Sequence, residues 1–283
     1  MPATRLLLVA CVLISTACSN TALMLANGVA QFDDDKLVQN LPYGPHPANR
    51  LDIYRPNGAV KGVVIFFYGG CWGACTTLGR EKYRFVAQAL TSRGYLVVIP
   101  DYRLYPDVLF PQIMADSAAV VKWTSGNIAN FGGSADRIFL MGHSAGGHIA
   151  AMLAVNEHYL GPKLHQNIRG FIGLAGAYDF IFDKPYMDKL FAGLEFRETQ
   201  PSQFVGGGDP PLLLLYGDGD KVVHKRNIVR MTDAARKNGG MVEPHIYAGI
   251  DHVDIIGAFS VLHSRHDLVM DHIEGFIKRR VKP

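Results

Sequence analysis

"RIFLMGHSAGGHIAAMLAV", Arg137 to Val155, is the stretch on which the fold depends. Its apolar residues Ile138 to Met141 have the composition of a strand covered on both faces. From Ala145 onward, small and apolar residues run as a helix does. Between the two, Gly142-His143-Ser144-Ala145-Gly146 leaves room only for a very sharp turn. A serine there sits in a strained backbone conformation, and the glycines on either side relieve the crowding. The strain lifts its hydroxyl above the carboxyl end of the strand, at the start of the next helix. Ser144 is therefore the candidate nucleophile. The competing reading is a glycine-rich turn whose serine is passive.

The rest of the chain repeats this strand-then-helix rhythm. Short, nearly continuous apolar runs at 62–68, 95–100, 137–142, 170–176 and 211–217 suit strands buried on both faces. Helix-like segments at 80–93, 111–127, 145–156, 223–239 and 258–280 alternate with them. "RLDIY" near residue 52 adds an antiparallel edge strand, and "VEPHIY" (242–247) a final one. Alternation of this kind predicts the α/β class: a mostly parallel sheet of about eight strands flanked by helices. The stretch 178–209 breaks the rhythm, with no clear strand and many aromatics, and is long for a loop. It reads as a small cap insertion over the site, against a helical excursion with its own core. Its composition predicts an apolar acyl or aryl pocket.

A serine hydroxyl attacks poorly unless a base takes its proton. Among eleven histidines, His143 follows the strand and is read as pointing away from the serine, and His148 lies a turn into the helix. His245 lies within the last strand, and His263, His266 and His272 are assigned to the last helix. His252, in "YAGIDHVD", follows that last strand at the rim where the serine stands, and is the candidate base. An imidazole in this role needs a carboxylate to hold its tautomer. "LLLLYGDGDKVV" offers Asp218 and Asp220 after the preceding strand. Asp220 fits a Gly-x-x-Asp-x-x-Val pattern from Gly217 to Val223, whereas Asp218 suits a turn cap. Asp179 is the outside candidate, and Asp251 is too close to its histidine in sequence.

With 283 residues, 48% hydrophobic and 19% charged, the chain buries a large core and is not disordered. A formal charge of +3 from scattered basic residues argues against a nucleic-acid partner. Met1 to Arg5 is a short basic start, Leu6 to Ile14 is apolar, and Ser15-Thr16-Ala17-Cys18 is small. The apolar run is too short to span a bilayer and has the shape of a secretory leader. Residues 1–18 are therefore expected to direct export, and residues 19–40 to form a tether before a domain over 41–283. The residues before Cys18 resemble a bacterial lipobox, more plausibly than those before Cys11, which leave too short an apolar run. That likeness implies lipidation at Cys18 and a lipid-anchored place in the bacterial periplasm or at the outer membrane; plain leader cleavage is the rival.

With Cys11 and Cys18 in the leader, Cys71 and Cys75 remain, in "VVIFFYGGCWGAC" (63–75). An exported pair so spaced is a possible disulfide. Zinc is a poor reading, because no Cys/His pair with finger-like spacing completes four ligands.

From about Pro42 to the end, the chain resembles the α/β-hydrolase superfamily. Within it, the likeness is to hormone-sensitive-lipase-like, feruloyl-esterase and kynurenine-formamidase-like enzymes. The residues that carry it are "LDIYRP" (51–56), "YGGCW" (68–72), "DYRLYPDVLFP" (101–111), "GHSAGGHIA" (142–150), "YGDGDKVV" (216–223) and "DHVD" (251–254). They follow the family's order, Ser…Asp…His included. The resemblance implies an oxyanion hole from the amides of Gly70, Cys71 and Ala145, with Trp72 as a substrate-binding wall or packing anchor. It departs at Tyr68, which stands where the family has a histidine that braces the loop. A serine carboxylesterase acting through an acyl-enzyme on small-molecule esters is implied, with no metal or organic cofactor. An amidase or formamidase using the same residues is the alternative, and a non-catalytic binding protein the second.

Overall fold

The structure, a computed structural model, describes residues 26–28 and 36–281. Runs that are apolar on both faces can only lie inside a sheet covered on both sides, and they form its middle. The strands are β1 (Lys36–Pro42), β2 (Arg50–Arg55), β3 (Gly62–Phe67), β4 (Tyr95–Pro100), β5 (Ile138–His143), β6 (Ile168–Leu174), β7 (Leu212–Gly217) and β8 (Val242–Tyr247). Every residue of β3, β4, β5 and β7 is buried. The sheet order is β1-β2-β4-β3-β5-β6-β7-β8. β2 runs antiparallel to both β1 and β4, and the remaining pairs are parallel. The carboxyl ends of β3 to β8 therefore share one rim, where ligands bind in open α/β sheets.

The connections between strands carry helices α1 (Arg84–Thr91), α2 (Phe110–Asn127), α3 (Ala145–Val155), α4 (Pro185–Leu190) and α5 (Arg226–Lys237), and α6 (Asp254–Gly257) and α7 (His266–Lys278) follow β8. α3 is buried along its whole length. A helix apolar all round belongs inside a protein, and α3 packs on β5, β6 and β3.

Three expectations need correction. The expected tether over 19–40 ends earlier, because Lys36 to Asn40 already belong to β1, paired with β2 from Lys36↔Arg55 to Pro42↔Arg50. β1 lacks a fully buried residue; its stability comes from its ladder to β2, which leaves little apolar signature. In consequence β2 lies inside the sheet and β1 is the edge. The expected helix over 258–280 begins only at His266. Ser260 Oγ accepts from the Leu262 amide at 3.4 Å and the Ser260 carbonyl from His263 N at 3.0 Å, a local turn that competes with helical pairing. His263 thus precedes the helix. The leader and Cys18 lie outside the described residues.

Within 178–209 the chain forms α4 and single 3-10 turns at Phe196–Thr199 and Pro201–Gln203. Its aromatics do not make a separate core. Phe180 and Phe191 pack on Trp72 at ring distances of 5.7 and 5.3 Å, and Phe182 stacks on both. The segment is thereby tied to the loop after β3.

Candidate active site

Ser144 sits between β5 and α3 with φ 56° and ψ −123°, a conformation non-glycine residues avoid. The elbow is tight enough to demand its glycines. A Cβ on Gly146 would collide with the carbonyl oxygens of Phe67 and Tyr68, and one on Gly142 with the carbonyl of Gly146. The Ser144 amide donates to the Leu174 carbonyl at 3.0 Å, which ties the turn to β6.

Ser144 Oγ lies 3.0 Å from His252 Nε2, and His252 Nδ1 lies 2.7 Å from Asp220 Oδ2. The other carboxylate oxygen of Asp220 accepts the amides of Val222 at 2.8 Å and Val223 at 2.9 Å. Burial alone would raise the pKa of this carboxyl. The bond to His252 and the two amides outweigh that and hold it below the usual carboxylate range. Asp220 thus stays charged in a dry place, and its charge fixes the proton on His252 Nδ1.

The loop after β3 approaches from the opposite side. A Cβ on Gly69 would stand 3.0 Å from the Cβ of Ser144. Gly70, Cys71, Trp72 and Gly73 then follow with φ of 113°, 54°, 57° and 106°. Four left-handed residues in succession curl the backbone, and two of them are not glycine, so the curl is held against strain. The disulfide Cys71–Cys75 closes it, with the Cα atoms 5.3 Å apart. Ala145 is the first residue of α3, where an amide has no intrahelical acceptor and the helix end favours negative charge.

Tyr68, in the place of the family's histidine, braces this loop in another way. Its hydroxyl donates to Asp101 Oδ1 at 3.0 Å, and its carbonyl accepts from Tyr102 Oη at 2.7 Å. Its ring stacks between those of Tyr83 and Tyr102, at 5.4 and 5.0 Å. Asp101 is held in turn by the Arg80 backbone amide and guanidinium, and Arg80 also pairs with Asp52 at 2.8 Å.

A pocket of about 380 Å³ opens over Ser144 and Ala145. Trp72 and the Cys71–Cys75 bridge form one wall, Phe180 and Met187 from the 178–209 segment another, and Lys221 to Asn227 a third. That third wall joins the loop after β7 to the first residues of α5, which begins at Arg226 rather than at the expected 223.

The remaining candidates lie elsewhere. Asp179 pairs with Arg226 at 2.7 Å and Arg230 at 2.9 Å, binding the start of the 178–209 segment to α5. Asp218 Oδ1 accepts the Gly249 amide, and Asp251 Oδ1 accepts the amides of Val253 and Asp254. His245 stacks on His272 at 3.9 Å, His263 faces Asp254, and His266 meets the Ala258 carbonyl. His143 is not a bystander: its Nε2–H donates to the His252 carbonyl at 2.9 Å. Burial, then the neighbouring His252, lower its pKa to about 3, so it is neutral. Among the described residues, no cluster of three or more His, Cys, Asp or Glu is arranged to hold a metal ion.

The fold matches known proteins. The apo form of Thermogutta terrifontis esterase 2 superposes with a TM-score of 0.71 at 19% identity, over 87% of this chain and 94% of that one. The model of the BD-FAE family matches residues 51–181. The chain has the α/β-hydrolase fold. In sequence, the chain is 28% identical to isoprenylcysteine alpha-carbonyl methylesterase ICME of Arabidopsis thaliana, over 83% of its own length and 62% of that relative's. It is 30% identical to kynurenine formamidase of Salmo salar, over 55% of its own length and 49% of that relative's. The chain thus spans less than two thirds of either relative.

Proposed function

We propose that the protein is a serine carboxylesterase that works through an acyl-enzyme. The observation that carries this reading is the unbroken chain from Ser144 Oγ through His252 to Asp220, with Ser144 in the lining of a mostly apolar pocket. His252 Nε2 takes the hydroxyl proton as Ser144 Oγ bonds to the acyl carbon, and the carbonyl electrons move onto its oxygen. The amides of Gly70, Cys71 and Ala145 receive that oxyanion, each supplying roughly 3 kcal/mol. The tetrahedral centre collapses, the alcohol oxygen leaves, and His252 gives it the proton. Water then attacks the acyl carbon while His252 takes one of its protons. Collapse of this second intermediate returns that proton to Ser144 Oγ and frees the acid. Asp220 remains charged throughout, orienting His252 and stabilising the imidazolium.

The apolar walls from Trp72, Phe180 and Met187 suit an acyl, alkyl or aryl group. Similarity to ICME supports an ester substrate. Similarity to kynurenine formamidase favours a second reading, hydrolysis of an N-formyl amide by the same residues. Rates on matched p-nitrophenyl esters and N-formyl-kynurenine, with Ser144→Ala as control, separate the two. Faster ester turnover that vanishes in Ser144→Ala is the expected outcome. Faster formamide turnover would make the protein a formamidase, and none on either would leave a non-catalytic binding protein.

Export as a lipoprotein is part of the same reading, supported by the pattern of residues 1–18 and by a disulfide, which suits an oxidising compartment. A diacylglyceryl mass on Cys18 is expected in the mature protein; its absence would end the lipid anchor.

A further inference from the structure

His148 lies one helical turn after the nucleophile, in α3, and has no exposed surface. An imidazole wholly out of water must satisfy both ring nitrogens, and these do so with two different parts of the site. The indole N–H of Trp72, in the curled loop after β3, donates to His148 Nδ1 at 3.2 Å. On the far side of the ring, His148 Nε2 lies 2.8 Å from the carbonyl of Thr199, in the 178–209 segment. An indole can only donate and a carbonyl can only accept, so the ring must be neutral with its proton on Nε2. Phe110, Phe180, Phe191 and Trp72 surround it at ring distances of 5.1 to 6.1 Å.

Each contact leads back to the chemistry. Trp72 adjoins Cys71, whose amide is assigned to the oxyanion, and it shares the positive φ that the loop must hold. Thr199 is followed by Gln200, whose Oε1 accepts the Phe180 amide at 2.8 Å, and Phe180 lines the pocket. His148 itself is carried by the helix that begins at Ser144, its amide bonded to the Ser144 carbonyl at 3.1 Å.

We propose that His148 is a positioning residue, a neutral two-sided clamp that fixes Trp72, and with it the oxyanion loop, and the cap segment against the nucleophile helix. The proposal rests on the serine-hydrolase reading but is read out partly without it. The ring does not touch the substrate; it holds the two walls between which the substrate sits.

The test uses the full mature protein. The chain has two tryptophans, Trp72 and Trp123, so two indole N–H signals appear by NMR, and Trp72→Phe assigns them. The Trp72 signal should exchange slowly with solvent in the wild type and move upfield in His148→Phe, which keeps a ring but no acceptor. In the same variant, kcat on p-nitrophenyl butyrate should fall about tenfold, less than the hundredfold or more that losing an oxyanion donor outright costs, with KM within twofold. His148→Gln retains a donor and an acceptor and should recover most of kcat. Trp72→Phe combined with His148→Phe should cost no more than the worse single change, since both remove one hydrogen bond. An unshifted indole, kcat within twofold of wild type, or losses that multiply would overturn the clamp. Should His148→Phe not fold, fast indole exchange at Trp72 in the wild type would overturn it alone. A wild type inactive on every ester and formamide would instead remove the catalytic reading, leaving the indole result to decide the clamp.

Discussion

The Nε2–H of His143, the residue before the candidate nucleophile, donates to the backbone carbonyl of His252, the candidate base, at 2.9 Å. Their rings lie 4.7 Å apart. The histidine nearest Ser144 in sequence thus holds the loop that carries the histidine nearest it in space. His143→Phe keeps the ring and removes the donor. Loss of a base-positioning bond of about 1 to 2 kcal/mol should lower kcat roughly tenfold with little change in KM. Steady-state kinetics on p-nitrophenyl esters checks this, and an unchanged kcat would show that the loop after β8 needs no such tether.

The Cys71–Cys75 bridge holds a loop in which two non-glycine residues have positive φ. Cys75→Ser opens the bridge and leaves the Cys71 amide in place. Closing so short a loop contributes roughly 2 kcal/mol in the chain-entropy account, so the urea midpoint should fall. The oxyanion donors also lose their fixed aim, so kcat should fall several-fold, and reduction of the wild type with a dithiol should reproduce it. Equal activity before and after reduction, with thiol titration confirming two free cysteines, would separate the bridge from catalysis.

Tyr68 links the strand end to a partly buried charge network, and the link ends on a carboxylate. Tyr68→Phe leaves the ring stack with Tyr83 and Tyr102 and removes one bond to a charged group. A loss of roughly 2 kcal/mol in unfolding free energy is expected, read by urea denaturation. A change below about 0.5 kcal/mol would mean that the aromatic stack alone braces the loop.

Two buried histidines make stability depend on pH. Burial is the main cause in both: it lowers His148 to about 4 and, helped by His252, His143 to about 3. The unfolded chain takes up these protons near pH 6.5, so below that pH it binds more protons than the native state. Stability is therefore full above about pH 6.5 and falls by roughly 1.4 kcal/mol per pH unit for each histidine down to its native value. Asp220 and Asp179, held low, add to the loss only as pH falls below about 4. Urea unfolding at pH 7, 6 and 5 should show the slope, and His143→Phe should lessen it by one proton. A midpoint independent of pH over that range would contradict the buried neutral rings.

The middle of the sheet is legible in the sequence because β3, β4, β5 and β7 are covered on both faces and so read as apolar runs. Ser144, Asp220 and His252 are legible for a different reason: each stands at a strand end, where a short motif meets the rim. β1 is not, since a half-buried edge strand draws its stability from a partner ladder that leaves no local pattern. His143 and His148 could be located but not given a role, because their partners are more than 50 residues away. The bracing of Tyr68 by Asp101 and Arg80 is likewise a product of packing between separate segments, visible only once they meet.

The central claim is that Ser144 is a nucleophile activated by His252. Intact mass spectrometry after treatment with a fluorophosphonate tests it directly. One adduct per chain, mapped to Ser144, absent in Ser144→Ala and formed far more slowly in His252→Ala, is the result expected. No adduct on the folded wild type, or equal labelling of Ser144→Ala, would contradict it.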